Sequence, residues 1–372
     1  MRGRNPKNST PVEAGVLSSG ERTVADKAPG AESHRNGQWR NDPHREGGRS
    51  DEPGSGCKPC VWGGMELLSS VARTSRAQRF SSTTVYPTIR GPHLPCLSTP
   101  PARGLRDTLL KRCAKQGFMN KKFPILEYDS TRIAFIEPSK VIAPLDMPEF
   151  CVICFFKDAI DKVVTEHNAK VLVTDYWEDG PHPIYEIQYC DKRLAFFHPG
   201  VGAPLAAGLL EKVIAYGCRK FMVCGGCGVL DKHMTVGSFL VVSSAVRDEG
   251  VSYHYLPPSR EVFAQDLAVE ALTNTLSNMS IPHHIGKTWT TDAPFRETPG
   301  RIAMRKNEGC LAVEMESASM LAVAQFRGVT LGQILYGGDD LSCVEWDERS
   351  WQLRAAIREK LFWLCADAVL TV

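Results

Sequence analysis

The sequence predicts an α/β fold: a single domain with a central mixed, mostly parallel sheet flanked by helices. Two observations carry this prediction. From Met119 onward, short apolar runs alternate with segments whose apolar residues recur at helical spacing. The alternation extends over about 250 residues without an internal repeat. This pattern is typical of one sheet whose faces are covered by helices.

The individual elements follow from the local pattern, taken in chain order. Short apolar or alternating runs bounded by turn residues predict strands at Arg132–Ile136, Phe150–Phe156, Val171–Thr174, Ile184–Tyr189, Leu194–His198, Lys220–Cys224, Ser238–Ser243 and Gly332–Tyr336. Apolar residues at helical spacing predict helices at Lys157–His167, Pro204–Tyr216, Ser259–Asn278, Ser317–Phe326 and Trp351–Val369.

Residues 1–118 differ from the rest of the chain. They hold 19 Lys and Arg against 10 Asp and Glu, whereas residues 119–372 hold 25 against 32. They are rich in Gly, Pro, Ser and Arg without periodicity, which predicts a disordered basic extension with one short helix near Leu105–Gln116. Three interpretations stay open: a transit peptide beginning at Met65, a non-conserved extension before a true start at Met119, and a nucleic-acid-binding arm. Sparse aromatics and the lack of a basic cluster make the last the weakest, so no nucleic-acid partner is expected.

Membrane, metal and cofactor roles are not expected. No apolar run reaches the eighteen residues of a membrane span, so we expect a cytoplasmic chain, or an organellar one if the extension is a transit peptide. The thirteen cysteines include the pairs Cys57/Cys60, Cys151/Cys154 and Cys224/Cys227, which lie too far apart in sequence for one zinc site. Buried free thiols in a reducing compartment are the better interpretation of Cys151 and Cys154, and no metal is expected.

Two glycine loops follow predicted strands, where ligands of α/β folds bind. Gly200 and Gly202 precede the helix beginning at Pro204, and exposed amides at such a start can receive an anion. Gly225 and Gly226 form a second loop that permits close backbone approach, although glycines also serve tight packing. The first loop lacks the third glycine of a dinucleotide fingerprint, so no cofactor is expected.

Acidic residues stand at two further strand ends. Glu314 and Glu316 flank Met315 where an alternating apolar segment becomes an Ala-rich helix. Ligand hydroxyls could satisfy such carboxylates and the Met could face a sugar ring, or Glu316 could simply favour the helix dipole. Asp339, behind two glycines, is placed to act as a general acid, or to cap the following turn.

In this order, the segments resemble the nucleoside phosphorylase family, which includes purine nucleoside and uridine phosphorylases and related nucleosidases. The resemblance covers about residues 150–372 and rests on the loops Pro199–Pro204 and Phe221–Leu230, the segment Val236–Gly250, the motif Ala312–Ala324 and the segment Ile334–Asp339. It implies an enzyme that cleaves the N-glycosidic bond of a nucleoside, and a homo-oligomer.

The resemblance also implies roles for particular residues. Glu316 would hold the ribose hydroxyls, Met315 would contact the sugar, Glu314 would support the site, and Asp339 would protonate the departing base. Gly200, Gly202, Gly225 and Gly226 would bind phosphate or another nucleophile. The segment Thr290–Arg296 matches the part of the family that lines the base pocket, so Thr291, Phe295 and Arg296 are predicted to contact the base.

The chain departs from the family at the phosphate subsite. Three arginines usually bind phosphate there. In the family, one of these arginines lies in a Gly-Asp-Pro-x-Arg loop, which the resemblance places at Phe155–Ile160, where this chain lacks it. The positions of the other two arginines fall at Glu186 and Val223. Lys157, Arg193 or Arg219 could substitute. The sequence therefore predicts cleavage with phosphate as acceptor, with water as a serious alternative and a non-catalytic nucleoside-binding or storage protein as a weaker one. Asp339 favours a purine.

Overall fold

The structure is a computed structural model that describes residues 120–343 and 345–372. The predictions for residues 1–118, including the helix near Leu105–Gln116 and the pair Cys57/Cys60, lie outside this range. Ten strands belong to one sheet within it: β1 (Phe150–Cys154), β2 (Lys170–Trp177), β3 (Gly180–Tyr189), β4 (Lys192–Phe197), β5 (Lys220–Val229), β6 (Phe239–Asp248), β7 (Glu261–Phe263), β8 (His283–Thr291), β9 (Cys310–Glu314) and β10 (Thr330–Asp340).

The described helices are α1 (Pro138–Val141), α2 (Lys157–Glu166), α3 (Ala203–Tyr216), α4 (Ser252–Tyr255), α5 (Asp266–Asn278), α6 (Pro299–Asn307), α7 (Ser317–Arg327) and α8 (Ala355–Val369). Short 3-10 turns lie at Pro124–Leu126, Pro294–Arg296 and Trp351–Leu353. Local chemistry sets several ends: α3 begins just after Gly202 with a proline in its first turn, and α7 ends at Gly328 in the left-handed conformation.

The sheet is mixed and partly closed, and β5 is its hub. The order β10-β6-β8-β9-β5 returns to β10 through a β10–β5 pairing, so five strands form a closed ring. The strands β1, β4, β3 and β2 extend from β5 as an open arm. Among the described pairings, parallel and antiparallel pairs are equally frequent, five of each. The predicted α/β class with a mixed sheet flanked by helices is confirmed, whereas the expected majority of parallel pairs is not found among the described strands.

Helices cover the sheet on two faces. Leu209 of α3 packs with Met320 of α7 in one buried cluster. Phe362 of α8 packs with Leu272 of α5 and Ile160 of α2 in the other. These side chains are nearly or fully buried, and burying one of this size stabilises the fold by roughly 1.5–3 kcal/mol. The two buried clusters anchor the helices to the strands whose ends carry the site described below.

Some predicted elements are wrong. Residues 132–136 form no strand; Phe135 is fully exposed there, at 103% of its reference area, and the segment pairs with no described strand. The helix expected from Ser259 begins at Asp266, because Glu261–Phe263 pairs with β6 as β7. Strand β8 is not among the predicted elements, and β9 is indicated only by the alternating apolar segment that ends at Glu314.

Two observations in the described range concern membrane-spanning helices and metal-binding side chains. None of its helices combines the length and apolar character that a bilayer crossing requires. Nor does this range contain a group of three or more His, Cys, Asp or Glu side chains arranged to hold a metal ion. Cys151, Cys154 and Cys224 are free thiols inside the core.

Candidate active site

The junction of β9 and α7 is organised by Glu314. Its Oε2 accepts the backbone N–H groups of Glu316 and Ser317, each at 2.7 Å, and its Oε1 accepts the hydroxyl of Thr290 at 2.6 Å. The carboxylate therefore satisfies donors at the start of α7, which the helix itself leaves unpaired. Burial raises the pKa of Glu314 even though these donors act in the opposite direction.

Glu316 lies next to this cap and faces the opposite loop. Only 7% of the residue is exposed. Its Oε1 accepts the backbone N–H of Gly202 at 2.5 Å, which ties the β9–α7 junction to the glycine loop before α3. Burial, and secondarily the charge of Glu314, raises the pKa of Glu316 to about 8. The two interpretations of this acidic pair therefore apply to different residues. Glu314 caps the start of the helix, and Glu316 faces the glycine loop before α3.

A cavity of about 940 Å³ opens between these elements. Glu314, Met315 and Glu316 form one part of its wall, and Gly225 and Gly226 of β5 another. Gly226 is exposed, so its backbone is accessible from the cavity. A Cβ at Gly226 would approach the ring of Tyr336 to 3.2 Å, so a side chain here would crowd that ring.

A second group of carboxyls lies at the end of β10. Asp339 lines the cavity next to a register shift between Gly337 and Asp340 in the pairing with β5. Its Oδ2 accepts the indole N–H of Trp346 at 2.8 Å. Glu297, which follows the 3-10 turn after β8, also lines the cavity. Burial, and secondarily the charge of Asp339, raises the pKa of Glu297 to about 7.

Aromatic rings stand around this acidic end. Phe295 is 99% exposed and Trp346 is 62% exposed, yet both line the cavity, together with Trp351. Flat rings with accessible faces stack on aromatic ligands at distances of roughly 4.5–7 Å between centroids. The acidic end therefore suits a planar ring system that carries polar or ionisable atoms.

Two cations line the cavity within the described part of the chain, Lys157 and Arg358. Lys157 pairs with Asp161 on the outer surface. Arg358 donates to both carboxylate oxygens of Asp158 at 3.3 Å and, through Nε, to the Tyr336 hydroxyl at 3.4 Å. Arg358 also donates through Nη2 to the backbone oxygen of Trp351 at 3.2 Å, and its side chain is only 13% exposed.

The other basic residues considered at this subsite lie elsewhere. Arg193 pairs with Glu186 and Asp146, and Arg219 donates to the backbone oxygens of Ile214 and Cys218. Val223 is fully buried in β5. Two of the three family arginine positions, Glu186 and Val223, therefore supply no cation here, and the segment that replaces the first supplies Lys157 instead.

The structure gathers some predicted site residues and not others. It brings together around the cavity Glu314, Met315, Glu316, Asp339, Gly225, Gly226 and Phe295. Gly200 and Gly202 lie just outside its wall, which Val201 reaches, and Gly202 acts through Glu316. Thr291 is buried beside the cavity wall, where its hydroxyl accepts the N–H of Ala293 at 3.3 Å, and Arg296 is exposed to solvent.

Sequence reasoning did not identify Glu297, Trp346, Trp351 or Arg358. Glu297 lay one residue beyond the segment assigned to the base pocket, so its signal was available. Trp346 and Arg358 reach the cavity only because the segment after β10 returns across its mouth and α8 packs beside α2, and no local pattern indicates either fact.

The fold and the cavity define a class of protein: an α/β protein with a carboxylate-lined ligand cavity at the strand ends. Comparisons with known proteins narrow this class. The family model described as the phosphorylase superfamily matches residues 149–360, more than half of the chain. The chain therefore belongs to the phosphorylase superfamily, and the predicted membership of the nucleoside phosphorylase family is confirmed.

The individual relatives share low sequence identity with this chain. The guanosine phosphorylase of Halorubrum lacusprofundi is 26% identical over 198 residues, 53% of this chain and 81% of the relative. The uridine phosphorylase of Salmonella typhimurium is 28% identical over 149 residues, which are 36% of this chain and 59% of that protein. The structure of a futalosine hydrolase mutant of Helicobacter pylori has a TM-score of 0.51 at 15% identity and covers 61% of this chain and 100% of that one. At this identity the structural likeness shows the fold alone.

Proposed function

We propose that this chain cleaves the N-glycosidic bond of a nucleoside with inorganic phosphate as acceptor. A purine nucleoside is the favoured substrate. The observation that carries the proposal is the buried Glu316 carboxyl, fixed by Gly202 in the wall of a cavity whose other end bears carboxyls and aromatic rings. A buried carboxyl in a ligand cavity is costly unless a ligand or the protein hydrogen-bonds to it. The 2′ and 3′ hydroxyls of ribose are suitable donors.

The chemistry follows from the two ends of the cavity. Cleavage of the C1′–N bond develops positive charge on the sugar and negative charge on the base. Glu316 would hold the ribose hydroxyls and favour the positive centre, while Met315 would contact the ring. Asp339 and Glu297 lie where a proton could pass to the departing base. Phe295 and Trp346 would stack on the base.

The choice of acceptor, phosphate or water, depends on the cations that line the cavity. Arg358 lines the cavity together with Gly225 and Gly226, and it would bind phosphate by exchanging its 3.3 Å pairing with Asp158 for the anion. Hydrolysis remains the second candidate, because the two cavity-lining cations of the described chain are each already paired with an aspartate. Water would need no cationic subsite.

The experiment is a product analysis with purified full-length chain. Inosine, adenosine and uridine are each incubated in phosphate-free buffer and in buffer with phosphate. Phosphorolysis requires ribose 1-phosphate that appears only with phosphate. Free ribose released equally in both buffers would replace phosphorolysis with hydrolysis, and absence of cleavage of every nucleoside would contradict the proposed activity.

The proposal includes a homo-oligomer. Its support is four apolar side chains on the segment before β1 that are each more than half exposed, namely Ile133, Phe135, Ile136 and Val141. Large apolar side chains left exposed on one segment are a feature of association sites. Light scattering during gel filtration gives the mass directly, and a monomer at micromolar concentration would refute this part.

A further inference from the structure

We infer that Glu297 is the acid that protonates the departing base, and that Asp339 is its anionic partner rather than the proton donor. This inference rests on the proposed function and deepens it. It concerns two carboxyls that reach the same end of one cavity from different elements, Glu297 from the turn after β8 and Asp339 from the end of β10.

The side chain of Asp339 is fixed by a donor. Its Oδ2 accepts the Trp346 indole N–H at 2.8 Å, so this oxygen is engaged as an acceptor and is not free to give a proton to the base. Its Oδ1 lies against the floor of the cavity, 3.4 Å from where a Cβ on Gly228 would stand. Asp339 is therefore held in place as a hydrogen-bond acceptor.

The surroundings of Glu297 favour its protonated form. The residue is partly buried, and within the described part of the chain no hydrogen-bond donor holds its carboxyl. Burial and the neighbouring charge of Asp339 both raise the pKa of Glu297, to about 7. When two carboxyls share a site, the one with fewer donors retains the proton.

Other charged groups of the cavity do not reverse this assignment. Glu314 and Glu316 reach the cavity from the β9–α7 junction and add negative charge, which also favours a proton on Glu297. The cations Lys157 and Arg358 lie with Asp158 around α2 and α8, and each is paired with an aspartate of α2. Arg296, next to Glu297 in sequence, is exposed to solvent.

The step balances without any further reactant. The O–H bond of Glu297 breaks as an N–H bond forms on the base, and the C1′–N bond breaks with its electron pair left on that nitrogen. An oxygen of the acceptor, phosphate or water, supplies the electron pair of the new C1′–O bond. The acceptor releases its proton to solvent, and the Glu297 carboxylate takes one back from solvent through the open mouth.

The test compares leaving groups that do and do not need a proton. Inosine needs protonation of its base, whereas 7-methylguanosine carries a cationic base that departs neutral. We expect Glu297→Gln to lower kcat on inosine by about a hundredfold or more, as loss of a general acid does. The same variant should lose less than tenfold on 7-methylguanosine. Glu178→Gln, at an exposed turn, serves as the matched control.

The variant Asp339→Asn separates the two carboxyls. If Glu297 is the acid, the fall of kcat/KM on inosine at alkaline pH persists in this variant and moves to lower pH, since the neighbouring charge is gone. Disappearance of that limb would make Asp339 the donor and overturn the inference. Equal losses of Glu297→Gln on both substrates would mean a structural role and would also overturn it. A wild-type chain that cleaves neither substrate contradicts the proposed function itself.

Discussion

Replacement of Glu316 by glutamine tests the environment of the carboxyl most important to the proposed site. Burial and Glu314 raise the pKa of Glu316 from 4.5 to about 8. Between these values the folded state keeps a proton that the unfolded state has lost, so wild-type stability should fall as pH rises through this window. At about 1.4 kcal/mol per pH unit, this group can remove up to about 4 kcal/mol between pH 5 and pH 8.

The neutral Gln has no such proton to lose. We therefore expect the free energy of unfolding of Glu316→Gln to exceed that of the wild type increasingly from pH 5 to pH 8, measured by urea titration at each pH. The matched control Glu178→Gln, at an exposed position, should follow the wild-type curve. Parallel curves for Glu316→Gln and wild type would refute the assigned environment of the carboxyl.

Three further predictions concern the loops around the cavity. Gly200→Ala should destabilise the chain by about 1–3 kcal/mol in urea titrations, because φ is +75° there and the new Cβ would overlap Leu205; unchanged stability would contradict this. Trp346→Phe should leave the alkaline limb of kcat/KM where it is, since Trp346 donates to Asp339 whether or not Glu297 carries its proton; a limb displaced by about one pH unit would make Asp339 the titrating acid. Burial lowers the pKa of His198 below 6.5, so the free energy of unfolding of the wild type should fall relative to that of His198→Gln as pH drops below about 6.5; a difference that does not change with pH would contradict this.

The sequence predicted the β9–α7 junction because both of its signals are local. Alternating apolar residues up to Glu314 and the Ala-rich run after Glu316 mark a strand end and a helix start, and the structure has both. The sequence could not separate their roles. That Glu314 caps the helix while Glu316 meets Gly202 depends on a contact between residues 114 positions apart.

Errors in the predicted strands have a physical cause. Strand β8 begins with polar residues from His283 and is strand only because it pairs with both β6 and β9. Residues 132–136 carry β-favouring side chains but find no neighbouring strand in the described fold, so propensity alone does not make them extended sheet. Glu297 lies one residue beyond the segment assigned to the base pocket, and its position near Asp339 in the cavity wall depends on the fold and not on the local pattern.

The central claim is that Glu316 holds the ribose of a nucleoside during cleavage of its N-glycosidic bond. The most direct measurement is the release of hypoxanthine from inosine by full-length Glu316→Ala, in phosphate buffer, with Glu178→Gln and wild type beside it. We predict that Glu316→Ala loses measurable turnover while its circular dichroism spectrum and cooperative melting are retained. Wild-type turnover in the folded Glu316→Ala variant would contradict the claim.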